Sequence, residues 1–177
     1  MEKLPPLRVL LEDFDGRHTA VLESLATRLS SAPGGLPREV WAEVCLLATH
    51  DEGRIAAGAT WLLRRWLEEG RPPDPDALVE ISRRLDEVSD PWARLHLVQA
   101  LPSIRLPREL VGRWADLCRT GLGADAPFLR AWSLNALVHL ASVDPVLVPE
   151  ARAALDAALS DPKASVRARA RRIVEGS

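Results

Sequence analysis

The sequence predicts an all-α chain, and three observations carry that prediction. Apolar residues recur at helical spacing along almost the whole length, while strand-like alternation is sustained nowhere. The 14 prolines and 10 glycines mostly punctuate apolar stretches, so they read as turns between helices. A short pattern, Asp followed within a few residues by Arg, returns at Asp51…Arg54, Asp90…Arg94, Asp125…Arg130 and Asp161…Arg167, with the arginines 40, 36 and 37 residues apart. A period in that range marks an α-solenoid, in which stacked helical hairpins build one continuous core.

The spacing predicts nine helices, at 17–30, 37–49, 53–69, 75–88, 91–103, 107–120, 126–142, 146–159 and 162–175. The first follows Asp15-Gly16-Arg17, a weak copy of the pattern whose arginine lies 37 residues before Arg54. The helices at 91 and 162 start on Asp90-Pro91 and Asp161-Pro162. There an N-cap Asp accepts from orphan backbone N–H groups, and a proline at the first helical position lacks the N–H that would be unpaired anyway. The linkers 31–36, 71–74, 105–106, 121–125 and 142–145 are short, which implies antiparallel neighbours. None is long enough to divide the chain. The expected organisation is one domain over 1–177: a weak N-terminal helical region at 16–36, central repeats at 37–160, and a capping helix at 161–177. The last helix carries Arg167, Arg169, Arg171, Arg172 and Glu175, the polar outer face a terminal repeat needs.

Composition narrows the function. A hydrophobic content of 47% suffices for a continuous core, and the net charge of −2 argues against bulk nucleic acid or an anionic membrane as main partner. The 21 arginines against two lysines favour planar, bidentate pairing inside packed helices. Cys45 and Cys118 are far apart within apolar stretches and read as free thiols in a reducing compartment. The N-terminus has no signal-peptide pattern, and no apolar run approaches the ~18 residues of a membrane span. A cytoplasmic location is the expectation.

The second helix of each hairpin can be numbered from its arginine. Offsets of 3, 4, 7 and 11 share one face with it. That face gives Ala57, Gly58 and Trp61 beside Arg54, then Leu97, Val98 and Leu101 beside Arg94. It gives Ser133, Leu134 and Leu137 beside Arg130, and Ala170 and Val174 beside Arg167. Small and apolar residues dominate, as close stacking requires, although Arg65 and Arg171 break the pattern.

The Asp and Arg-Ala signature resembles the HEAT-repeat family, in particular its small bacterial members. Asp161 and Arg167 match the family's turn Asp and second-helix Arg at the six-residue spacing, whereas the upstream pairs are five, four and three residues apart. The resemblance covers about 37–175. It implies a right-handed solenoid of about four helical pairs, second helices that line a concave surface, and an Asp161–Arg167 structural pair that links repeats.

Residues opposite the stacking face then become the candidate partner-binding set. They are Trp92, His96 and Gln99 in one repeat, Phe128, Trp132, Asn135 and His139 in the next, Arg169 and Arg172 in the last, with Trp66 near the same face. Trp and Arg dominate binding hot spots. A shift of one position in the helical phase would instead pack these tryptophans between repeats. His18, His50, His96 and His139 are scattered, so no metal site is expected, and no cofactor motif or catalytic elbow is present. Gly34-Gly35 and Gly121-Leu122-Gly123 read as turns. Some HEAT-like proteins are alkyl-purine DNA glycosylases that use a Trp and a carboxylate, but Trp114 and Asp116 diverge by ~200° on a helix. The expected function is a non-catalytic protein-binding module: an adaptor, accessory or inhibitor protein. It would be a monomer or weak homodimer, with no nucleic acid or membrane partner. A nucleic-acid-binding HEAT protein and a chromophore-handling one, like the phycobilin lyases, are the alternatives.

Overall fold

A computed structural model of the chain describes residues 5–31 and 35–176. Among these the protein is all-helical, with ten α-helices and no strand. None of the helices is long and apolar enough to cross a membrane. The linker at 31–36 lies partly, and the turn residue Gly34 wholly, outside the described residues. Two compact units divide the chain, at 1–104 and 105–177.

The first unit contains α1 (Leu7–Leu11), α2 (Ala20–Ser30), α3 (Arg38–Leu47), α4 (Gly53–Glu68), α5 (Pro75–Arg83) and α6 (Pro91–Ala100). The caps expected from the sequence form at Asp90, whose carboxylate accepts from the N–H groups of Trp92 and Ala93 at 2.9 and 2.8 Å. Asp74 caps α5 in the same way, accepting from Asp76 and Ala77. Gly70 ends α4 with φ at +76°, the left-handed conformation that lets the Arg71 N–H return to the Trp66 carbonyl. Two expected helices end early and tighten into 3₁₀ turns, at Leu85–Glu87 and at Leu101–Ser103. In the second case Pro102 follows the last α-helical residues and has no N–H to extend the ladder.

α4 is the centre of this unit. It packs against α1, α2, α3 and α6, and every residue from Ile55 to Leu63 is buried. That enclosure explains its run of small residues, Ala56 to Ala59, which lets neighbouring backbones approach. α3 packs on α5, and α4 packs on α6. The short helix α1 was not anticipated; at five residues it carries too little periodicity to register.

The second unit contains α7 (Val111–Leu122), α8 (Pro127–Val143), α9 (Val148–Leu159) and α10 (Ala164–Glu175). α8 packs against α7, α9 and α10. One cluster joins Ala131 and Leu134 of α8 to Ala158 of α9 and to Val166 and Ala170 of α10. 3₁₀ turns at Arg108–Leu110 and Pro145–Leu147 precede α7 and α9, where the sequence predicted continuous helix. Likewise α10 begins at Ala164, so Asp161 caps the preceding turn by accepting from the Lys163 N–H at 2.8 Å and is not the helix N-cap. Cys45 and Cys118 are both buried free thiols. Burial pushes each thiol up to about 12.

Candidate partner-binding face

Three of the four marker arginines share one task. Arg94 donates to the Val88 carbonyl at 2.6 Å, Arg130 to Ala124 at 2.8 Å, and Arg167 to Asp161 at 2.6 Å. In each case the acceptor lies six residues earlier, in the turn leading into the second helix. A long guanidinium therefore satisfies a carbonyl that the turn leaves unpaired. Arg54 departs from the pattern: it donates to the Glu12 and Phe14 carbonyls and so pins the segment between α1 and α2.

The expected Asp161–Arg167 pair is corrected by this geometry. The Asp161 carboxylate is held bidentately by Arg130 of the preceding hairpin, at 3.0 Å for both contacts, while Arg167 reaches only the Asp161 backbone. The link between α8 and the turn before α10 thus spans 31 residues, and a search for pairs inside one repeat overlooks it. Arg130 holds the Asp161 carboxyl below its ordinary value.

In the first unit, the expected face divides. Trp66 is corrected to core: it is 0% exposed, with its ring edge-on to Trp41 at 5.5 Å, so it presents nothing to a partner. His96 Nδ1 lies 3.1 Å from the Ala57 carbonyl and 3.2 Å from Thr60 Oγ1. Burial, with Arg64 nearby, pushes its imidazole down to about 3, so it is neutral at physiological pH and donates to Ala57. Gln99 Oε1 accepts from Arg64 at 2.6 Å. Both residues therefore brace α6 against α4. Trp92 is 52% exposed at the start of α6.

In the second unit, Phe128, Trp132, Asn135 and His139 lie at i, i+4, i+7 and i+11 of α8, one helical face, and all four are half-buried. The Arg169 guanidinium of α10 sits over the Trp132 ring, 3.9 Å from its centroid, a cation–π geometry. Arg172, one turn on, is exposed. Partial burial lowers the His139 imidazole below its usual range. Burial, with the like charge of Arg172, also lowers Arg169. Trp114, the residue the glycosylase comparison turns on, is 0% exposed.

Chemically, this α8–α10 face offers a flat aromatic surface, a polar amide, an imidazole and two guanidiniums. Among the described residues no three His, Cys, Asp or Glu side chains come together to hold a metal ion. No protein-family model matches the chain, and no curated protein or solved structure matches it significantly.

Proposed function

We propose that the chain is a non-catalytic protein-binding module, an α-solenoid of about four HEAT-like hairpins that presents a second-helix face to a partner protein. The turn-closing role common to Arg94, Arg130 and Arg167 supports the repeat reading, as do the like-on-like stacks of α3 on α5 and α4 on α6. The observation that carries the binding reading is Trp132. It is half-exposed on a rigid helix, backed by Arg169, and shares its face with Asn135, whose amide has no hydrogen-bond partner among the described residues. An aromatic anchor held by its neighbours costs little entropy on binding, and a free amide supplies direction.

The test compares proteins captured by the full chain with those captured by Trp132→Ala. The partner is the protein retained by the first and lost by the second. Its affinity should fall by at least about 2 kcal/mol in a titration with the purified pair. An identical set of captured proteins and an unchanged affinity would remove Trp132 from any interface and sink the reading.

A further inference from the structure

Among the described residues, seven of the eight half-buried arginines have an oxygen to pair with, and one does not. Arg54, Arg94, Arg130 and Arg167 reach backbone carbonyls. Arg64 holds Gln99, Arg71 holds Glu69, and Arg84 holds Glu87. Arg169 has only the Trp132 ring, and among the described residues no carboxylate lies within ion-pairing distance of it. Arg172 adds a second positive charge one turn away instead of neutralising the first.

A partly desolvated cation without an anion is costly in an isolated protein and favourable once an anion arrives. The ring takes one face of the guanidinium, while the N–H donors project along its edge and remain suited to bidentate pairing. The surrounding charge agrees. Residues 105–177 carry eleven Lys or Arg against eight Asp or Glu, in a chain whose net charge is −2. We infer that the α8–α10 face receives an acidic segment of a partner protein, with a carboxylate of the segment seated on Arg169 and Arg172 and an adjoining apolar side chain laid against Trp132. This rests on the protein-binding reading and adds the chemistry of the partner. A polynucleotide would need a longer cationic track and a chain of opposite net charge, so the acidic protein segment is the better fit.

The experiment selects random short peptides displayed on phage against the full chain, with removal of clones that also bind Trp132→Ala. Affinities of the enriched peptides are then measured by fluorescence anisotropy. Enriched peptides should carry Asp or Glu beside an aliphatic or aromatic residue. Replacing those acids with Asn or Gln, or making Arg169→Gln in the protein, should each weaken binding about tenfold. Arg172→Glu, at an exposed position, should weaken it at least as much in protein whose circular dichroism shows an unchanged helix content. Trp132-dependent peptides with no acidic preference would overturn the acidic-segment assignment and leave the protein-binding reading standing. The absence of any Trp132-dependent peptide would overturn both. Oligothymidylate that displaces the acidic peptides and binds more tightly would overturn the assignment in favour of single-stranded nucleic acid.

Discussion

The α4–α6 stack and the α8–α10 stack occupy equivalent places in the sequence period, yet they use their polar residues in opposite ways. In the first, His96 and Gln99 turn onto α4 and are consumed by Ala57, Thr60 and Arg64. In the second, Asn135 and His139 find no such partner among the described residues, and Arg169 is stacked on Trp132. The difference follows from α4. It is enclosed by α1, α2, α3 and α6, so polar groups reaching it from α6 sit in low dielectric and must be paired. Equal helical phase therefore does not imply equal function. An enclosed neighbour turns a candidate contact residue into a brace.

The largest effect that would break this comparison lies in the tryptophans. Trp66→Ala should cost about 3–5 kcal/mol in urea denaturation followed by circular dichroism, as expected for a fully buried indole. Trp132→Ala should cost less, about 1–2 kcal/mol, because its ring is only half-covered and lies outside the apolar cluster formed by Ala131, Leu134, Ala158, Val166 and Ala170. Equal losses would mean that both rings are core and that the two stacks are alike after all.

The next effect tests how closely α7 approaches α8. A Cβ added at Gly121 would collide with Ser133 Oγ and lie 2.9 Å from Ser133 Cβ. Gly121→Ala should therefore cost about 1–3 kcal/mol. Adding Ser133→Ala should recover part of that loss, since only the Cβ contact then remains. A double variant no more stable than the single one would show that the helices separate instead of straining the hydroxyl.

Much of this was legible in the sequence, for identifiable reasons. The nine expected helices correspond to α2 through α10 because proline, glycine and Asp caps mark their ends. The face of α8 was legible because Phe128, Trp132, Asn135 and His139 sit on one helix, where phase is fixed by covalent geometry. What escaped was set by tertiary neighbours. The burial of Trp66 depends on the residues packed around α4, and Gln99 is taken by an arginine 35 residues away. Arg130 holds a carboxylate of the following hairpin, and a pattern aligned within one repeat pairs that carboxylate with the wrong arginine.

A smaller effect concerns that carboxylate. Arg130 depresses the Asp161 carboxyl in the folded state, so the pair's contribution is present above the ordinary Asp value and is lost as pH falls through the depressed one. Hydrogen exchange in α10 should therefore quicken as the solution is acidified below the ordinary carboxylate range, relative to its intrinsic rate. Asp161→Asn should exchange faster at neutral pH and lose that acid dependence. An unchanged acid dependence in the variant would show that Asp161 does not tie the two hairpins together.

The smallest effect is read without any substitution, in the titration of the histidines by NMR. His18 lies 2.6 Å from the Asp15 carboxylate, which raises its imidazole above the usual range. His139 is lowered by burial alone, and His96 is pushed down to about 3. On lowering the pH, His18 should protonate first, His139 later, and His96 not at all while the fold persists. The sign for stability follows from the same ordering. An unfolded chain protonates His96 near pH 6.5 and the folded one does not, so this residue opposes folding increasingly as pH drops from that value towards 3. If His96 instead titrates with His139, then Ala57 and Thr60 do not enclose it, the brace between α4 and α6 is open, and the contrast between the two stacks disappears.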